Sequence, residues 1–117
     1  MDCAKCIALM AVSPGDIWNY SLSAKGGKKS APKDAIPIVC ITTSAGTGSE
    51  VDIAAVISDD VLGEKTGIFF PSMFPVLSIV DPELMAIVPA DFTAYQGMDA
   101  FFRASERVIN KNEHVMG

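Results

Sequence analysis

The chain predicts an α/β fold, and three features of its 117 residues point there. Residues 36–41 form a nearly continuous apolar run rich in β-branched side chains, the pattern of a strand buried on both faces of a parallel sheet. A loop containing Gly46-Thr47-Gly48-Ser49 follows that run directly. Residues 90–110 then form the longest helical stretch.

The remaining elements fall between these in order. Residues 4–11 have helical composition and meet the breaker Ser13-Pro14-Gly15. Residues 21–33 read as a polar, solvated loop. Its Gly26-Gly27-Lys28-Lys29 is not a Walker-type phosphate loop, because Leu22 and Lys29 stand where the leading glycine and the trailing hydroxyl are needed. Residues 53–58 and 66–70 flank an acidic turn over 59–65, which predicts a β-hairpin with a solvated tip. Residues 76–80 form another short strand, ended by Asp81-Pro82. In the last helix Thr93 and Gln96 are spaced as a capping box, and Gly97 is the weak interior residue.

Composition bounds the function. The length suits a single core, and 50% hydrophobic with 20% charged residues is too apolar for a disordered chain. A mean hydropathy of +0.33 implies surfaces meant for burial. The net charge of −5 and pI near 4.6 argue against a nucleic-acid or anionic-membrane partner. The apolar run over 7–12 is far shorter than the ~20 residues of a membrane helix, so a soluble, cytoplasmic protein is expected. Three cysteines, an odd number, argue against a disulfide framework. Cys3 and Cys6 have the spacing of a metal or dithiol pair but no second pair to complete a zinc site, and they read as small apolar helix residues. Cys40 reads as core.

The glycine loop has two readings on its own. Its unencumbered backbone N–H groups and the hydroxyls of Ser44, Thr47 and Ser49 suit close approach to a pyrophosphate or ribose. Val51 stands where a dinucleotide fingerprint has its third glycine, so a flexible strand-to-strand turn is the alternative.

Residues 43–50, Thr-Ser-Ala-Gly-Thr-Gly-Ser-Glu, resemble the cofactor loop of iron-containing alcohol dehydrogenases, with Ser44 replacing a threonine. Lys65 in the hairpin, Pro71, Pro75 and the Asp81-Pro82 strand end are similar to that family in order and spacing, and Asp2, Ala4, Lys5, Ile7 and Ala8 look like the helix after its first phosphate loop. The resemblance implies a partial Rossmann-like cofactor domain with a β-hairpin over 1–89, and the first helix of an all-α metal-binding domain over 90–117. It also implies NAD(P)-dependent alcohol oxidation or aldehyde reduction, with Fe2+ or Zn2+ as Lewis acid. By the same resemblance Thr43, Ser44, Gly46, Thr47, Ser49 and Lys65 are the cofactor-binding candidates.

The family's metal helix pairs an aspartate with a histidine four residues on. Asp99 matches the first, but Arg103 stands at the second, and a guanidinium has no lone pair to give a metal. The only histidine, His114, lies in a polar tail where no ligand is implied. Met1 alone precedes Asp2 and the sequence stops at Gly117, so counterparts of the family's first phosphate loop and of its two later histidines are not expected. The expectation is a truncated homologue, inactive in isolation, with no catalytic residue assigned, little affinity for NAD(P) and no stoichiometric metal. A self-associating protein using its exposed strands as a homo-oligomer, or one subunit of a split dehydrogenase, are the alternatives.

Overall fold

The computed structural model describes residues 1–22, 34–61 and 63–110. In chain order it contains helix α1 (Asp2–Met10), strands β1 (Val39–Thr42), β2 (Ala54–Asp59), β3 (Glu64–Phe69) and β4 (Leu77–Val80), and helix α2 (Ala90–Ile109). Short 3-10 turns lie at Ile17–Tyr20, Ser49–Val51, Pro71–Met73 and Pro82–Met85. Most of the polar loop expected over 21–33, together with Leu62 and His114, lies outside the described residues. Two units result, one of residues 1–41 and 49–79, the other of 42–48 and 80–117.

In the first unit α1 buries the face formed by Lys5, Cys6, Ala8 and Leu9, a spacing that keeps all four on one side of a helix. Its last turn tightens, Val12 N–H donating to Leu9 C=O, and Gly15 at φ +97° turns the chain away. Asp16 caps the next turn by accepting from Trp18 N–H at 2.9 Å, and Tyr20 Oη donates to Pro14 C=O at 2.8 Å. Leu9, Cys6 and Tyr20 then pack with Ala55, Ile68 and Met73 into the main core. A smaller cluster joins Ala8 to Ile38 and Cys40.

The predicted hairpin is present. β2 and β3 pair antiparallel, with Ala55 opposite Ile68 and Asp59 opposite Glu64. Ala55 and Ile68 are fully buried, whereas Val56 and Lys65 face outward, the alternation of a half-buried pair. Gly63, at φ +65°, occupies the turn.

β1 pairs with β4 in parallel, and Val76 N–H donates to Ile38 C=O just ahead of both strands. The strand expected over 36–41 begins only at Val39, and it is not buried on both faces. Cys40 and Thr42 are buried, while Val39 and Ile41 are 56% and 55% exposed. The reason is coverage: the cluster with Ala8 and Ile38 packs one side of the strand only.

In the second unit Asp81 caps the Pro82–Met85 turn, accepting from Glu83 N–H at 3.0 Å. α2 starts at Ala90 after Pro89, so the capping box expected at Thr93 and Gln96 does not form. Thr93 lies inside the first turn, where its Oγ1 donates to Pro89 C=O at 3.2 Å. No residue of α2 is buried, and Phe92, Tyr95, Phe101 and Phe102 are all exposed. No helix among the described residues is long and apolar enough to cross a membrane.

Among the described residues of the first unit the one buried charge is an ammonium. Lys5 Nζ, wholly buried, donates to Asp52 Oδ1 at 2.6 Å, to Asp52 C=O and Ala54 C=O at 2.9 Å each, and to Ser49 Oγ at 3.3 Å. Asp52→Ala would leave that charge buried and uncompensated and is expected to cost about 3–5 kcal/mol. Lys5→Met removes the charge itself and leaves Asp52, 36% exposed, partly in water, so it should cost less. Denaturant unfolding of the two variants reads the order directly.

Candidate functional site

The glycine loop belongs to the second unit, and two polar contacts set its shape. Thr42, buried at the end of β1, donates from Oγ1 to Ser44 C=O at 2.7 Å and so curls the loop back on its own start. Gln96 of α2 accepts the Ala45 N–H on Oε1 at 3.1 Å. The residue that the sequence suggested as a helix cap is instead a clamp on the loop.

Gly46 and Gly48 serve different ends. Gly46 has φ +122°, and a Cβ there would collide with the Gln96 carbonyl oxygen, so this glycine is demanded by the close approach of α2. Gly48 has φ +67° and nothing within 4 Å of the place a Cβ would take. Its backbone faces open space, which is what a ligand approaching the main chain requires. Thr43 and Thr47 are exposed on this loop and Ser44 is half-buried. Of the cofactor-binding candidates, Thr43, Ser44, Gly46 and Thr47 are therefore brought together in one loop.

Ser49 and Lys65 belong to the first unit. Ser49 is engaged by α1: its Oγ donates to Asp2 Oδ1 and accepts from Lys5 Nζ, both at 3.3 Å. The other Asp2 oxygen accepts Val56 N–H at 3.0 Å. The first turn of α1 thus holds the chain on both sides of Asp52. Lys65 is exposed on β3, opposite Ser58.

Asp99 and Arg103 lie one turn apart on α2. Arg103 Nε donates to Asp99 Oδ2 at 2.9 Å, an ion pair in which both side chains keep about half of their exposure. Among the described residues no group of three or more His, Cys, Asp or Glu side chains converges as a metal centre would require. Cys3 is exposed and Cys6 buried. Burial pushes the Cys6 thiol above its ordinary pKa, with the neighbouring Cys3 and Asp2 adding to the effect and Lys5 opposing it.

Sequence reasoning missed the roles of Lys5, Asp52 and Gln96. A signal for Lys5 was present, since it lies three and four residues before Ala8 and Leu9 and so shares their face. A lysine on the apolar stripe of a helix needs a buried acceptor set. The spacing of Gln96 suggests a cap and not this role, since its partner is a backbone amide 51 residues away in sequence.

Comparison with known proteins is consistent across sequence and structure. The family model for iron-containing alcohol dehydrogenase matches residues 1–82. The NAD-dependent methanol dehydrogenase of Bacillus methanolicus is 42% identical over 110 residues, which is 94% of this chain and 28% of that enzyme. Among solved structures, NADH-dependent butanol dehydrogenase A of Thermotoga maritima superposes with a TM-score of 0.86 at 30% identity, over 98% of this chain and 28% of that one. Sulfoacetaldehyde reductase of Bifidobacterium kashiwanohense, solved in complex with NAD+, gives 0.86 at 35% identity, over 97% and 29%. The chain thus spans less than a third of the length of these relatives.

Two outcomes are expected from the loop and from α1. Gly46→Ala should cost about 1–3 kcal/mol of local stability, because the loop must abandon either its backbone conformation or its contact with Gln96. Gly48→Ala meets no neighbour and should cost only the roughly 1–2 kcal/mol of a left-handed residue. Hydrogen exchange at the Ala45 amide separates them, since only the first substitution should release it. At mildly alkaline pH, alkylation followed by mass spectrometry should label Cys3 well before Cys6.

Proposed function

This chain belongs to the iron-containing alcohol dehydrogenase family, and on that premise we propose that it forms the cofactor-facing part of an NAD(P)-dependent enzyme interconverting an alcohol and an aldehyde. The observation that carries the proposal is the loop after β1. It is curled by Thr42, clamped by Gln96 and opened at Gly48, so its backbone is presented in a fixed shape with room beside it. Preorganised main-chain donors of this kind suit a phosphate or nicotinamide amide better than a mobile turn would.

On this reading residues 1–89 are part of a Rossmann-like dinucleotide-binding domain, and residues 90–117 open the helical domain. Thr43, Ser44, Thr47 and the Gly46–Gly48 backbone would hold the nicotinamide half of NAD(P), and the family resemblance separately makes Lys65 a cofactor-binding candidate. The cofactor supplies a hydride acceptor or donor. The chain's own residues bind and orient it. Ser49 contributes differently from its neighbours, since its hydroxyl is spent on Asp2 and Lys5 and acts by fixing where the loop ends. The residues at Asp99 and Arg103 do not fit an iron or zinc ion, and no catalytic step is assigned to one.

A second reading rests on the uncovered side of the β1–β4 pair, where Val39, Ile41, Leu77 and Ile79 are exposed. In this reading the chain self-associates through that face. Val39→Asp should then dissolve the oligomer in sedimentation experiments, and a wild-type chain that sediments as a monomer would remove the idea.

The cofactor proposal is tested by titrating NADH and NADPH into 15N-labelled protein. Saturable shifts at Gly46, Gly48 and Lys65 are expected, with an affinity of about millimolar, or ~4 kcal/mol. Lys65→Ala should weaken the binding several-fold. Absence of saturable shifts in the loop at several times that concentration would sink the proposal for this chain.

A further inference from the structure

We infer that the metal position implied by the family is closed in this chain by a cation of its own, so that Arg103 neutralises Asp99 and no divalent metal is taken up there. The structural match to the butanol dehydrogenase runs over 98% of the chain, so α2 is shared with that fold. A metal at Asp99 needs that carboxylate free and further lone pairs beside it. The Asp99 Oδ2 atom is already engaged at 2.9 Å by Arg103 Nε. Arginine remains protonated at any physiological pH and carries donors only, so it fills the neighbouring position on the helix without replacing the lost ligand.

Charge works in the same direction. A divalent cation approaching Asp99 meets a guanidinium one turn away, and it must first break an ion pair whose geometry the helix enforces. The thiols offer no alternative ligand set, because Cys6 and Cys40 are buried and Cys3 stands alone at the surface. No cluster of three or more metal-binding side chains exists elsewhere among the described residues. The disagreement with the family's chemistry thus lies in a contact that is made, Arg103 to Asp99.

The inference rests on family membership and not on the proposed cofactor binding, and its test contains no cofactor. Co2+ is titrated into 15N-labelled wild type, Arg103→His and the double variant Asp99→Asn/Arg103→His, and paramagnetic line broadening is mapped along α2. The substituted side chain is exposed, so folding should survive the change. Wild type should show no broadening centred on residues 99–103 at millimolar Co2+. Arg103→His should show it there at least tenfold more strongly at the same concentration, and the double variant should lose it again. Localised broadening in wild type, or an equivalent of iron or zinc retained through mild chelation and lost in Asp99→Asn, would overturn the inference. So would an Arg103→His protein that broadens no more than wild type, because Arg103 would then not be what closes the position.

Discussion

The first unit depends on one buried ammonium. Lys5 lies on the face of α1 that packs into the core, where an unpaired charge would expel the helix from the fold. Its three protons are matched by close acceptors on Asp52 and Ala54, with Ser49 at longer range. Because two of those acceptors are backbone carbonyls, the lysine fixes the path of the main chain as well as a side chain. The Ser49–Val51 turn, the Asp52 bend and the entry into β2 are all set by their distance from one nitrogen. Asp2 extends the constraint by taking the Val56 amide and the Ser49 hydroxyl. Apolar packing of Leu9, Ile68 and Met73 supplies the driving force, and the ammonium selects the register in which that packing is allowed.

A comparable division of labour operates in the loop. The sequence pattern treats Gly46 and Gly48 alike, yet one is a packing requirement and the other an opening. Gly46 lets the Gln96 carbonyl come to within contact of the main chain, and the Gln96 side chain then secures Ala45. With the loop fixed on that side, the space beside Gly48 becomes a shaped approach to the backbone. A loop held at several points loses less entropy on meeting a ligand than a free turn does.

Elements governed by local chemistry were legible in the sequence, and those governed by distant contacts were not. The Ser13-Pro14-Gly15 breaker, the hairpin about Gly63 and the long terminal helix follow from turn residues and periodicity, which are local. The two-sided burial expected for residues 36–41 did not follow, because composition records how apolar a strand is and not whether a layer covers each face. The capping box at Thr93 and Gln96 failed for a related reason. Pro89 starts the helix earlier, which moves both side chains into its body and frees Gln96 to reach the loop. At the site, the loop residues were readable from their glycines, while the Lys5–Asp52 pair required knowing which turn of chain lies over α1. The lysine's place on an apolar helical stripe was the one clue that sequence offered.

Lys5 and Arg103 show why charge alone does not assign a role. Both pair with an aspartate over a distance of less than 3 Å. Lys5 is wholly buried, so its partners bear on the stability of the entire unit. Arg103 and Asp99 are 56% and 42% exposed, and water screens such a helix pair to about 0.3–0.5 kcal/mol. A contact that weak explains little about why the helix holds together. Its consequence is chemical: a side chain without a lone pair faces the Asp99 carboxylate, which is already turned toward it. The strong pair therefore bears on the path of the main chain from Ser49 into β2, and the weak one on the charge that one face of α2 presents.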